Sequence, residues 1–270
     1  MNHRTKSSAK TEDSSFLFPD SLFPKKLLAA SCFLLLLGKL SASLAKMAHL
    51  DLFFFLVCTA IACLAIFVIP RIGLWIGSLF LAISAFLSWQ SHDFAIIQLM
   101  ELAMQGSLLA IIGGYSVNWL SRQQLITGLK LALTLTFWGH GAYALGISQP
   151  VPGHFLGMVQ TVLGLENEQA YQFLALAGTL DFVAGILIWV PTRWVKTALW
   201  YMVVWGLLTA LARPVSLWIQ IVDLESILVG LSEALYRLPH GLVALALVQL
   251  SGSPQKDRQP PEKAAVSTKS

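Results

Sequence analysis

The sequence predicts an all-α integral membrane protein, a polytopic transmembrane helix bundle of about eight spans. Hydrophobic residues make up 56% of the 270 residues and charged residues only 12%, and the mean hydropathy is +0.69. Soluble domains carry about 25% charged residues, so the chain is predicted to lie in a lipid bilayer. A helix needs about 20 residues to cross a bilayer, so 270 residues with short loops can form about eight spans.

Eight apolar runs follow one another and are interpreted as membrane-spanning helices. They cover residues 27–45, 51–70, 72–89, 94–115, 125–147, 171–190, 194–212 and 225–250. Residues 1–24 and 251–270 are rich in Ser, Lys, Pro, Asp and Glu, which predicts two disordered tails. Because the number of spans is even, both tails are predicted to lie on one side of the membrane.

The basic residues predict which side that is. They concentrate in the tails and in the turns that carry Arg71, Arg122, Arg193 and Lys196, whereas segment 148–170 contains no Lys or Arg. By the positive-inside rule, both termini are cytoplasmic and segment 148–170 faces outward from the cytoplasmic (inner) membrane. The net positive charge therefore indicates topology and predicts no nucleic-acid partner. A cleaved secretory signal at the start is an alternative, because the small residues of SASLAKMA follow the first apolar run.

Short matches between the two halves predict two tandem four-helix membrane units, residues 25–120 and 121–250. The matching pairs are Gly38-Lys39 with Gly139-His140, VIPRIGLW with WVPTRWVKTALW, and Glu101/Gln105 with Glu233/Arg237. With four spans each, the two halves enter the membrane in the same direction. The predicted relation is therefore a parallel repeat about an axis along the membrane normal.

Ionisable side chains inside the apolar runs form the candidate polar site, because charge in hydrocarbon is costly and is usually retained for function. All six lie in the second predicted unit: His140, Asp181, Arg213, Glu233, Arg237 and His240. Three of them, Glu233, Arg237 and His240, recur at i, i+4 and i+7 and share one stripe of the last span. His140, Asp181 and Glu233 are predicted to lie about 10 to 15 Å below the outer surface, around one outward-facing cavity.

Each of these residues also has a structural interpretation. Glu233 and Arg237 could form only an intrahelical ion pair that lets both enter the bilayer. Asp181 could pair with Arg213 or be a hydrogen-bonded protonated acid, and Arg213 could be an interfacial anchor. The two histidines could serve helix packing alone. These alternatives predict separate contacts sealed between helices, whereas a functional site predicts convergence on one pocket.

Metal and haem sites are not predicted. Bis-histidine haem ligation is disfavoured, because the predicted depths of His140 and His240 differ by about 10 Å. The three cysteines fall within predicted spans, without the spacing of a metal site: Cys32, Cys58 and Cys63. Their odd number also gives no disulfide framework. Catalytic and nucleotide-binding motifs are absent from the sequence, so a membrane subunit or a transport protein is favoured over a stand-alone enzyme.

The second half contains TFWGHGAYALG, GTLDFVAGILIWVPTR, WGLLTALARP and a closing helix with Glu, Arg and His. These stretches resemble the DoxX-like family of small four-helix bacterial membrane proteins, over residues 125–250 and more faintly over 27–118. That family is named for a subunit of a membrane thiosulfate:quinone oxidoreductase. The resemblance implies a bacterial membrane subunit of a redox or quinone-linked system, with quinone as the ligand and a redox subunit as partner. His140, Asp181 and the Glu233/Arg237 pair would then form hydrogen bonds with the quinone headgroup or relay protons to it.

Two other functions fit the same residues. One is a transporter of a small polar or anionic solute, in which Arg213 and Arg237 attract the solute and the tandem halves rock about the site. The other is a structural or assembly protein, in which the polar residues only hold helices together.

Overall fold

The computed structural model describes residues 22–45, 70–91, 95–101, 103–147, 150–191, 193–221 and 224–252. All regular secondary structure in these ranges is helical, which confirms the predicted all-α class. Three helices are long and apolar enough to cross a membrane: Ile72–Gln90, Asn167–Leu187 and Trp194–Ile221. The membrane location therefore has structural support, while the eight spans and the tandem units stay predictions.

The first half contributes four described helices. They are α1 (Leu22–Ala45), α2 (Pro70–Gln90), α3 (Ile96–Glu101) and α4 (Ala103–Ser116). The predicted spans 27–45 and 72–89 correspond to α1 and α2, whereas the predicted span 51–70 lies outside the described residues but for its last. The predicted span 94–115 corresponds to α3 and α4, and Leu102 between them lies outside the described residues. The backbone N–H of Met104 in α4 donates to the side-chain oxygen Oγ1 of Thr136, which lies further along the chain, at 3.1 Å.

The second half contributes five more described helices. They are α5 (Arg122–Ala144), α6 (Gly153–Leu163), α7 (Asn167–Leu187), α8 (Trp194–Ile221) and α9 (Leu224–Gly252). Four of them correspond to predicted spans, and two features differ from the prediction. The segment 148–170, which is predicted to face outward, contains the unpredicted helix α6, and α8 continues beyond residue 212 through Pro214 to Ile221.

Local signals fix where these helices begin and end. At the start of α5, Ser121 and Gln124 form a capping box, in which each side chain accepts a hydrogen bond from the other residue's backbone N–H. Such caps satisfy backbone donors that have no partner within the helix. At the end of α6, Gly164 adopts φ +66°, a left-handed conformation that glycine tolerates and that stops the helix.

The helices α5, α7, α8 and α9 pack as a ring, in which each contacts the next and α9 returns to α5. Small residues set the close approaches between these helices, because glycine lets two helix backbones come near each other. A Cβ placed on Gly141 would lie 2.8 Å from the carbonyl oxygen of Gly178, and one on Gly206 would lie 2.8 Å from the backbone nitrogen of Gly241. Outside the ring, α1 packs along α9, and α6 lies against α7 and α8.

One end of the ring is filled and the other is hollow. Near the Arg122 end, fully buried leucines such as Leu125, Leu129 and Leu199 occupy the core. The same end is closed by a hydrogen bond from Arg122 Nη2 to the Leu250 carbonyl oxygen at 2.8 Å. The opposite end, next to α6, corresponds to the side that the sequence predicts to face outward.

Candidate functional site

A partly open space of about 480 Å³, called the apolar cavity below, lies at the hollow end of the ring. Five of the six predicted site residues line it: His140, Asp181, Arg213, Arg237 and His240. The rest of its wall is mainly apolar and includes Phe137, Phe173, Leu174, Trp205 and Leu208. The structure thus brings side chains from α5, α7, α8 and α9 to one apolar pocket.

A second space of about 840 Å³, called the polar chamber below, adjoins the apolar cavity. The sixth predicted residue, Glu233, lines this chamber. The two spaces share four wall residues: Phe155, Met158, Arg213 and Arg237. The remaining wall of the chamber carries polar side chains, among them Gln98, Tyr143, His154, Ser216 and Gln220. The candidate site is therefore in two parts, with the arginines at the junction.

The charged residues form a triad with one carboxylate between two guanidinium groups. Arg213 Nη1 on α8 donates to Glu233 Oε2 on α9 at 2.7 Å, and Arg237 Nη1 lies 3.8 Å from the same oxygen. The side chains of Arg213 and Arg237 are 12% and 9% exposed, and that of Glu233 is 37% exposed. The shorter of the two contacts thus joins α8 to α9, and the longer one lies within α9. Of the structural interpretations, the pairing of Asp181 with Arg213 is wrong, because Arg213 pairs with Glu233.

Aromatic rings also contact the two guanidinium groups. The guanidinium carbon of Arg237 lies 4.3 Å from the centre of the Tyr236 ring, and that of Arg213 lies 5.9 Å from the Phe155 ring. Cations over aromatic faces gain electrostatic stabilisation in desolvated sites. These contacts hold both arginines at the boundary between the polar chamber and the apolar cavity.

The two histidines contact each other. The ring centroids of His140 on α5 and His240 on α9 are 5.4 Å apart, and the rings meet edge to face at 71°. The predicted depth difference of about 10 Å is therefore wrong, and with it the ground for disfavouring haem. His140 lies four residues before the end of α5, whereas His240 lies 16 residues after the start of α9. At a rise of about 1.5 Å per residue, the difference of 12 residues means that the start of α9 lies about 18 Å beyond the end of α5.

Asp181 is 2% exposed, and its partner was not among the residues predicted for the site. The hydroxyl of Tyr201 on α8 donates to Asp181 Oδ1 at 2.8 Å. A buried carboxyl group needs such a donor, and this bond joins α7 to α8. A signal for it exists in the sequence, because Tyr201, Trp205, Thr209 and Arg213 recur every fourth residue and form one stripe along α8.

Helix α6 covers the apolar cavity, and its role was also missed. Its residues at i, i+3, i+4, i+7 and i+8 line that cavity: Phe155, Met158, Val159, Val162 and Leu163. This spacing is typical of one apolar helix face, and it is visible in the sequence once residues 153–163 are treated as a helix. Gln220 Nε2 on α8 donates to Thr161 Oγ1 at 2.6 Å and ties α6 in place.

Within the described ranges, no group of three or more His, Cys, Asp or Glu side chains is arranged to hold a metal ion. Cys32 is a buried free thiol of α1, and Cys58 and Cys63 lie outside the described residues. Comparison with family models, curated proteins and solved structures gave no match to this chain. The resemblance to the DoxX-like family therefore stays an expectation from the sequence.

Proposed function

We propose that this protein binds a lipid-soluble quinone in the apolar cavity and serves as a membrane subunit of a redox system. The observation that carries the proposal is the combination of an apolar wall with His140, His240, Asp181 and the two arginines at one pocket. A quinone consists of a flat ring, carbonyl oxygens that accept hydrogen bonds, and an apolar tail. The cavity of about 480 Å³ falls within the range of small-molecule sites, about 300 to 1,000 Å³.

The polar side chains have separate roles in this proposal. His140, His240 and Arg237 donate hydrogen bonds to the carbonyl oxygens of the quinone, since imidazole and guanidinium groups supply N–H donors. Reduction of a quinone to a quinol takes up two electrons and two protons. The electrons come from a partner redox subunit, and protons reach the ring oxygens through the histidines or through Asp181 and Tyr201.

The DoxX-like resemblance supports the same function and adds finer features to the proposal. These features are a bacterial cytoplasmic membrane, cytoplasmic termini, eight spans and two tandem four-helix units. A cysteine placed in either tail tests the topology, because a membrane-impermeant thiol reagent would label it only in inverted vesicles if both termini are cytoplasmic.

The quinone proposal is tested with the protein in lipid nanodiscs and decylubiquinone as the probe. Val159 is 6% exposed and faces the apolar cavity, so Val159→Trp should fill the cavity and abolish binding. Gln160→Trp is the matched control, because Gln160 lies on the same helix and lines neither space. His140→Ala and His240→Ala should each weaken binding about tenfold, the effect of losing a hydrogen bond of about 1.4 kcal/mol. Equal binding by both tryptophan variants would contradict the proposal.

Transport of a small polar or anionic solute is the second candidate. The observation that favours it is that Arg213 and Arg237 line both the polar chamber and the apolar cavity, so a solute could contact them from either space. Uptake by proteoliposomes that Arg237→Gln abolishes would support transport. If Arg237→Gln and His140→Ala change only the amount of folded protein, the polar residues serve helix packing, as in a structural or assembly protein.

A further inference from the structure

We propose that the apolar cavity opens sideways into the lipid bilayer between α6 and α8, and that its ligand is an amphiphile that enters from the membrane. Four exposed apolar residues border this passage, called the lateral opening below: Leu163 of α6 and Leu208, Leu211 and Val215 of α8. The inference rests on the proposed binding of a ligand in the apolar cavity. It adds the route of entry and the class of the ligand, a molecule dissolved in the membrane and not in water.

The exposure of the wall residues locates the opening. Leu208, Leu211 and Val215 line the cavity and are 55%, 51% and 44% exposed. Ala177 and Asp181 line the same cavity, yet they are only 7% and 2% exposed. Contact with the cavity alone therefore leaves a side chain almost fully buried, so the larger exposure of the α8 residues arises at the outer surface of the protein. The cavity wall continues onto that surface along α8.

The outer surface at this place is suited to lipid. Helix α8 is one of the three described helices that are long and apolar enough to cross a membrane. Its exposed large apolar residues include five at i, i+4, i+7, i+11 and i+14, the spacing of one helix face: Val204, Leu208, Leu211, Val215 and Trp218. Lipid chains are as apolar as leucine side chains, so a bilayer covers such a face without cost. Because the three central residues of this face border the cavity, the lateral opening leads to lipid chains.

The space between α6 and α7 is filled, in contrast to the α8 side. Four buried side chains form a small apolar cluster there, with one residue from α5, one from α6 and two from α7: Ala144, Val159, Ala170 and Leu174. A ligand that crossed this side would have to displace closely packed side chains. The lateral opening is therefore the route from lipid to the cavity that leaves this cluster intact.

Contacts of α8 with two neighbouring helices frame the opening. The ring of Trp205 lies 5.9 Å from the ring of Phe173 on α7, measured between centroids, and Gln220 Nε2 donates to Thr161 Oγ1 on α6. Trp205 and Gln220 are about 22 Å apart along α8, at about 1.5 Å per residue, and the three α8 residues of the lateral opening lie between them. The apolar chain of an amphiphile can thus stay in the opening while its polar head contacts Asp181 and the other polar residues of the cavity.

Lipid-phase photolabelling of the full chain in nanodiscs tests the route. The probe is a phenyl diazirine that carries a decyl chain and dissolves in the bilayer. Irradiation converts it to a carbene that inserts into neighbouring side chains, and labelled residues are identified by mass spectrometry after digestion. We expect label on Phe137 and Leu174, which are buried residues of the cavity wall, as well as on Leu176, which is exposed and lines neither space. Label on Leu176 without label on the cavity wall would overturn the inference.

Variants that narrow the lateral opening test its position. The double variant Leu208→Trp/Leu211→Trp should lower the label on Phe137, relative to that on Leu176, by about tenfold, the effect of an entry barrier raised by about 1.4 kcal/mol. Val204→Trp is the matched control, because Val204 is exposed on the same face of α8 and lines neither space. All three positions are exposed, so the new rings need no room in the core. If the double variant does not fold, Leu211→Trp alone replaces it, with a smaller expected loss.

The position of the opening is wrong if the narrowed variant labels Phe137 as strongly as Val204→Trp does. A second probe carries a sulfonate in place of the decyl chain and stays in water. It should leave Phe137 unlabelled, and labelling as strong as that by the decyl probe would show entry from water and overturn the inference.

Competition by decylubiquinone separates this inference from the proposed function. If the cavity binds a quinone, excess decylubiquinone should lower the label on Phe137. Label on Phe137 that decylubiquinone does not change would contradict the quinone proposal and still support the lateral opening. Conversely, a protein that binds decylubiquinone while Phe137 stays unlabelled would overturn the lateral opening alone.

Discussion

Replacing Gly141 by alanine tests whether the close approach of α5 and α7 holds the site together. The added Cβ would lie 2.8 Å from the Gly178 carbonyl oxygen and 3.2 Å from Asp181 Cβ. The nearer contact is with backbone, which cannot rotate away as a side chain can. The two helices must therefore separate, and His140, next to Gly141, must move relative to Asp181.

The size of the effect follows from two opposed terms. Overpacking of a tight contact costs about 1 to 3 kcal/mol, whereas alanine stabilises a helix by about 0.5 to 1 kcal/mol relative to glycine. We expect Gly141→Ala to lower the free energy of unfolding by about 1 to 2 kcal/mol as the difference of these terms. Gly157→Ala on α6 is the control, because a Cβ there meets no atom within 4 Å, and it should not destabilise.

The assay is unfolding of the purified protein by increasing SDS in mixed micelles, followed by circular dichroism, together with decylubiquinone binding. Gly178→Ala should resemble Gly141→Ala, since its Cβ would lie 2.7 Å from the Gly141 carbonyl oxygen. Both changes separate the same helices, so the double variant should cost less than the sum of the two. If Gly141→Ala is as stable as Gly157→Ala, the close packing of α5 on α7 is incorrect.

Two further predictions concern hydrogen bonds at the site. Tyr201→Phe should destabilise the protein by about 1 to 3 kcal/mol, because it leaves the buried Asp181 carboxyl group without the hydrogen bond from the Tyr201 hydroxyl. The control in the same SDS titration is Tyr171→Phe, at a residue of α7 that is 41% exposed, and equal losses of stability in the two variants would contradict the role of the bond. Thr161→Val removes the hydrogen bond between α6 and Gln220 of α8. It should leave the stability of the protein nearly unchanged but speed the release of decylubiquinone, as measured by stopped-flow fluorescence. An unchanged release rate would show that α6 does not limit the dissociation of the ligand.

Much of the helical layout was predictable, because it depends on local sequence. Apolar runs of about 20 residues indicated α1, α2, α5, α7 and α9 to within about five residues at their ends, and they indicated α8 except for its last nine residues. The hydrogen bond from Met104 to Thr136 was not predictable, because Thr136 lies on another helix. Helix α6 was missed because an apolar face of 11 residues is too short to register as a span.

The site was predicted as a set of residues but not as a set of contacts. Burial cost alone marks an ionisable residue in an apolar run, so the six candidates could be chosen from the sequence. Their pairing depends on how far one helix extends beyond its neighbour. The prediction placed Arg213 at a span end, whereas α8 continues to Ile221, and this extension lets Arg213 reach Glu233 on α9. The same relative shift of α9 and α5 brings His240 to His140.

The arrangement of the charged groups favours a functional site over helix packing alone. If these residues served only to pack helices together, their ion pairs would be buried between the helices, since exposing a charged group to a cavity does not improve packing. Here the carboxylate of Glu233 is 37% exposed, and both of its arginine partners line two adjoining spaces. The filled end of the ring shows that this chain can pack the same helices tightly with leucine. A ring that is tightly packed at one end and hollow where its ionisable residues gather is the arrangement that a ligand site requires.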